Sequence, residues 1–133
     1  MLFLKTSVYI DLKLHGPNYV ADKNIKANCN IFRNDIVFVP VNVAQLHWIT
    51  CVIINLSSLL QDFESRPFLI YIDSKHNDNP DVIGKIKKWL VAECEIHKMK
   101  SKSFYLNTIP TIKIKGMLKV LSKIFSNNFV YIL

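Results

Sequence analysis

A histidine, His47, stands near the head of the most apolar stretch of the chain, and an aspartate, Asp73, closes the next one. Residues 46–56 are almost wholly hydrophobic, and residues 67–73 run Phe-Leu-Ile-Tyr-Ile after Pro67 before the polar stop Asp73-Ser74. If the two stretches are paired strands, imidazole and carboxylate meet at one end of a sheet. A buried carboxylate on one ring nitrogen fixes the tautomer and stabilises the imidazolium, leaving the other nitrogen to act as a base. That is half of a nucleophilic triad. Spacing alone fits a purely structural His–Asp hydrogen bond equally well, and both readings stay open at this level.

A nucleophile is harder to find. The three cysteines are Cys29, Cys51 and Cys94. Cys51 lies four residues after His47 within the apolar stretch and reads as core packing. Cys94 falls among the apolar neighbours of a helix and reads as buried and structural. Cys29 sits in the polar run Asn28-Cys29-Asn30, where exposure is expected, but no helix follows it to lower its pKa. Cys94 and His97 are three apart and could make half a metal site. No second pair stands at finger spacing, so no metal is expected. His15 and His76 read as solvated loop residues, and no Gly-rich phosphate loop is present, so no cofactor is expected.

Four segments read as strands. Residues 7–12 alternate Val8, Ile10 and Leu12 against Tyr9 and Asp11. Residues 36–43 are rich in β-branched side chains, and Pro40 suggests an edge or a strand end. Residues 46–56 suit a strand covered on both faces, and residues 67–73 supply the fourth, with 57–66 as the connecting turn. Asn79-Pro80-Asp81 opens a helix, with Asn at the N-cap, Pro in the first helical position and an early acid at the positive end of the dipole. Val82, Ile86, Trp89, Leu90 and Cys94 then repeat at helical spacing, predicting an amphipathic helix over 80–98. A weaker stripe runs through Leu118, Leu121 and Phe125, and residues 129–133 could form a final strand. The predicted class is α+β.

With 133 residues, half of them hydrophobic, the chain suits one domain with a substantial core. No apolar run reaches the length of a membrane span, and the first ten residues do not resemble a signal peptide. Three cysteines without framework spacing suit reduced thiols, hence an intracellular setting, nucleus or cytoplasm. No acid follows Glu95, whereas Lys98, Lys100, Lys102, Lys113, Lys115, Lys119 and Lys123 do, so the net charge of +7 resides in that last stretch. Such asymmetry can mark a surface for nucleic acid or an acidic partner.

Three phrases, in order, carry a resemblance. Ile36-Val37-Phe38-Val39-Pro40-Val41-Asn42 is followed by His47-Trp48-Ile49 and then by Ile70-Tyr71-Ile72-Asp73-Ser74, with a helix after them. This resembles the core of the SUMO/ubiquitin-like-protein protease family: a hydrophobic strand ending Pro-x-Asn, His-Trp opening another, then Tyr-x-Asp-Ser and a helix. The likeness is best over residues 31–98. It implies a papain-like cysteine protease core, a mixed or antiparallel sheet flanked by helices. Residues 1–111 would be a partial catalytic domain and 112–133 a basic, atypical C-terminal segment. It further implies that His47 is the base activating a cysteine, that Asp73 orients it, and that Trp48 shapes the channel for a modifier's Gly-Gly tail. Trp48 as a core aromatic is the plainer alternative. Ser74 reads as a turn residue.

The resemblance also implies a Gln and then Asp-Cys-Gly beyond the helix. Here Thr111 begins Thr-Ile-Lys-Ile-Lys-Gly-Met-Leu-Lys-Val, with no cysteine after Cys94 and no glutamine after Gln61. Without a thiolate there is no acyl-enzyme. The functional expectation is thus a deconjugating cysteine peptidase of this family, with its nucleophile missing from these residues. Its partner would be a SUMO-like or other ubiquitin-like modifier and its conjugates. The alternatives are a non-catalytic modifier-binding remnant and, ranked third, a small basic nucleic-acid-binding domain.

Overall fold

The computed structural model describes residues 1–43, 47–60, 66–73 and 79–114. Five strands form one sheet in the order β1-β2-β3-β4-β5, namely Leu2–Phe3, Ile36–Val43, His47–Ile54, Phe68–Asp73 and Thr111–Ile114. The middle three are antiparallel, whereas β1 runs parallel to β2 and β5 parallel to β4. The parallel β4–β5 pair needs a crossover. It is supplied by α3, Pro80–Ile96, and the short α4, Ser103–Asn107. The helices α1, Ser7–His15, and α2, Pro17–Lys26, lie between β1 and β2 in the chain.

The α+β expectation holds, and so do three of the four strands and the long helix. Pro40 is tolerated inside β2 because β1 pairs only with Val37 and Phe38, which leaves that side of Pro40 without a strand neighbour. At the head of α3 the Asn79 side chain accepts from the Val82 N–H at 3.3 Å, and Pro80 occupies the first turn, as a capped start requires.

Residues 7–12 correct the expectation of a strand: they open α1. The apparent alternation counted Ile10 as inward, yet Ile10 is 48% exposed, while Tyr9 and Leu12, three apart, are buried. That is a helical period. Gly16, at φ +88°, ends α1 with its N–H on the Leu12 carbonyl and hands directly to Pro17 at the start of α2. His15, expected in a polar loop, is instead the exposed last residue of α1. The expected connecting turn after β3 contains a 3₁₀ turn, Leu56–Leu60, that buries Leu56 and Leu59. The segments expected at 117–125 and 129–133, together with Ser74 and His76, lie outside the described residues.

Alternation across the strands gives the sheet two faces. One carries Val37, Val39, Val41, Ile49, Cys51, Ile53, Leu69 and Tyr71, packed with Tyr9, Leu12, Val20, Val82, Ile86, Trp89 and Leu90 from the helices. The opposite face carries a smaller cluster of Phe38, Val52 and Ile72, with Phe3, Ile70 and Ile114 packed against it. Among the described residues no helix is long and apolar enough to cross a membrane.

Candidate active site

β4 stops at Asp73, which stands opposite Ile49 of β3. His47 shares a strand face with Ile49, so it overhangs the end of β4 and reaches Asp73 along the diagonal. Its Nε2 meets Asp73 Oδ1. Asp73 is 3% exposed and the His47 side chain 13%. The other carboxylate oxygen, Oδ2, accepts from the Tyr71 hydroxyl at 3.2 Å. An ionised carboxylate only accepts, so a neutral His47 ring carries its proton on Nε2 and keeps Nδ1 as the basic nitrogen. The juxtaposition expected from the two strand ends is therefore present.

Trp48 lies on the other side of β3 by the same alternation, opposite Asn42 of β2, and is 49% exposed. It is neither a core aromatic nor on the His47 face. The Asn42 Oδ1 beside it is buried without a hydrogen-bond partner among the described residues.

No cysteine joins the pair. Cys51 shares the His47 face but is fully buried, and burial pushes its thiol up to about 12. Cys94 is also buried; its Sγ donates to the Met99 carbonyl at 2.9 Å. Burial, and then Glu95, raise it to about 11, with Lys102 pulling the other way. Cys29, expected in an exposed loop, is half-buried and packs against the main core. Burial and the nearby Glu93 raise its thiol, the reverse of what a nucleophile needs. It lines a cavity of about 250 Å³ with Asn28, Asn30, Arg33 and His97, and His47 is not part of that lining. Cys94 and His97 do not converge on a common point: the thiol addresses Met99, while His97 Nε2 lies 3.6 Å from Glu93 Oε2. Among the described residues no three His, Cys, Asp or Glu side chains come together as metal ligands.

Two residues with parts to play carried no role in the sequence reading. Tyr71 supports Asp73, and its signal was the two-residue spacing that places both on one strand face. Glu93 is fully buried on α3, where its Oε1 accepts from Asn24 Nδ2 at 2.6 Å and from Trp89 Nε1 at 3.0 Å. Its signal was an acid one turn after Trp89 on the apolar side of the helix.

Comparison with known proteins agrees with this geometry. The family model described as the Ulp1 protease family, C-terminal catalytic domain, matches residues 13–116. No curated protein matches the sequence. Among solved structures, the C-terminal Ulp1 protease domain in complex with Smt3, the yeast ortholog of SUMO, superposes with a TM-score of 0.61 at 19% identity, covering 85% of this chain and 46% of that one. A de-sumoylating protease gives a TM-score of 0.65 at 20% identity, covering 86% and 42%. Ulp1 with its catalytic cysteine oxidised to a sulfonic acid gives 0.64 at 17% identity, covering 93% and 56%. This chain thus spans about half the length of these structures or less, and at such identities what they share with it is the fold. With the family model covering most of its length, this chain belongs to the Ulp1 protease family.

Proposed function

We propose that this chain carries the proton-handling half of a cysteine-type peptidase acting on SUMO-like or other ubiquitin-like conjugates, at the bond after the modifier's C-terminal Gly-Gly. In this reading His47 is the base, with Nδ1 taking the proton of a thiol and returning it to the leaving amine. Asp73 holds Nε2 and stabilises the imidazolium. Trp48 is the aromatic wall of the channel for the Gly-Gly tail. The observation that carries the reading is the contact of His47 Nε2 with an Asp73 carboxylate that is itself buried and held by Tyr71. A surface His–Asp pair would not need that support.

A second reading is favoured by the cysteines. None of the three approaches His47, and no cysteine follows Cys94 in these 133 residues. By itself, then, the chain docks a modifier without cleaving it.

Titrating the chain with SUMO-like and ubiquitin-like modifiers, beside a conjugate-cleavage assay, tests both readings. Saturable binding to one modifier class, weakened in Trp48→Ala and without turnover, is expected. Binding to none of them would sink the modifier assignment. Cleavage that disappears in His47→Ala would reveal a nucleophile and discard the binding-only reading.

A further inference from the structure

Far from His47 in sequence contacts, α2 and α3 meet around a buried acid that the peptidase reading does not use. We propose that Glu93 and His97 form a proton-operated latch that holds α2 against α3 while one proton sits between them and loosens when it leaves. The reading is independent of the modifier assignment.

Glu93 is 0% exposed. Its Oε1 is fully engaged, by Asn24 of α2 and Trp89 of α3. Its Oε2 is buried with no hydrogen-bond partner, and so is His97 Nε2, yet the two atoms stand 3.6 Å apart. Two adjacent buried orphans of this kind are rare. A proton on Oε2 resolves both, since Oε2–H then donates to the Nε2 lone pair after a small side-chain adjustment. The edge-to-face contact between the His97 and Phe32 rings, 5.8 Å between centroids, limits how far the imidazole can turn away.

The surroundings favour the protonated state. The titratable or charged groups facing the pair are Cys29 from the segment after α2 and Arg33 from the turn Ile31–Arg33. From α2 itself comes only the neutral Asn24; its neighbours Lys23 and Lys26 pair outward with Asp11 and Asp22. Burial pushes the Glu93 carboxyl up to about 7, with the Asn24 and Trp89 hydrogen bonds opposing it. Burial, and then Arg33, hold His97 below its ordinary value. A proton that leaves Glu93 therefore strands a charge where no water reaches it. Relief requires water to enter, and the opening at hand is the cavity lined by His97, Cys29, Asn28, Asn30 and Arg33 at the C-terminal end of α2. The same cavity is the path by which the proton exchanges with solvent.

Trp89 is a built-in reporter, because its indole N–H donates to the carboxyl that titrates. The chain has two tryptophans, so Trp48→Phe leaves Trp89 alone. Emission of this variant should change in a single one-proton step with a midpoint of about 7. The step should vanish when Glu93→Gln is added. On the unaltered chain, hydrogen exchange corrected for intrinsic rates should show protection of α2 amides falling about tenfold from about pH 6 to about pH 8, while β3 stays protected. A flat emission profile, the same step in the Glu93→Gln variant, or α2 protection that does not move relative to β3 would each overturn the latch. The exchange measurement decides alone if Glu93→Gln fails to fold.

Discussion

Tyr71 and Asp73, two residues apart on one face of β4, are joined by a hydrogen bond from the phenol to Oδ2, on the side of the carboxylate away from His47. The phenol thereby satisfies an oxygen that burial has cut off from water. Tyr71→Phe keeps the ring and removes only the hydroxyl. It should cost about 1–3 kcal/mol in urea unfolding, the range for a hydrogen bond to a charged group. A change within a few tenths of a kcal/mol would mean the phenol does not support the carboxylate.

The tautomer of His47 follows from Asp73. Nitrogen NMR on the native chain should report the neutral ring protonated at Nε2, with Nδ1 bare. In Asp73→Ala the ring should shift towards a mixture of tautomers, since nothing then selects Nε2. A wild-type ring protonated at Nδ1 would remove the basis for naming His47 a base.

Glu93 and His97 pull the pH dependence of stability in opposite directions. The folded pKa of Glu93 is raised from 4.5 to about 7, so its contribution is fully present below about 4.5 and lost as pH rises through about 7. At 1.36 kcal/mol per pKa unit this is on the order of 3 kcal/mol. His97 is lowered from 6.5, so its contribution is present above 6.5 and lost as pH falls through its folded value. In His97→Asn the Glu93 slope should stand alone, with denaturation midpoints rising as pH falls from about 7 to about 5. In Glu93→Gln the slope in that window should reverse. Equal slopes in the two variants would refute the assignment.

The thiols should react in the order of their burial. In the native protein at neutral pH, iodoacetamide should modify Cys29 first and slowly, leaving Cys51 and Cys94 untouched until denaturant is added. Mass spectrometry of timed samples reads this directly. Rapid native labelling of Cys51 would expose an activated thiol beside His47 and reopen the question of the nucleophile.

What the sequence made legible was whatever rests on strong, local signals. β3 and β4 stood out because both strands are apolar throughout, and α3 because Asn79-Pro80-Asp81 precedes an apolar stripe. With these in place, the His47–Asp73 encounter needed only one antiparallel pairing. α1 was misread because Val8, Ile10 and Leu12 satisfy a two-residue period as well as a helical one, and packing on α2 decided between them. α2 buries only Val20 and Ala21, too few to declare a face, although Gly16-Pro17 marked its start. β5 is four residues long with Lys113 in its middle, so its strand character comes from the β4 edge it pairs with. Cys29 looked exposed because its neighbours are asparagines, and only the tertiary approach of α3 covers it.

The meander of β2, β3 and β4 also sets an order of assembly. His47 and Asp73 are 26 residues apart, and the strands that align them are consecutive in the chain. Forming the pair closes only short loops, so it makes a small entropic demand on the unfolded chain. β5, by contrast, must wait for α3 and α4 to cross over before it can join the edge of β4. During synthesis the residues of the imidazole–carboxylate contact have therefore all been delivered before the first turn of α3 is made. Slowing translation after β4 should let that contact form on a nascent chain that still lacks its long helix.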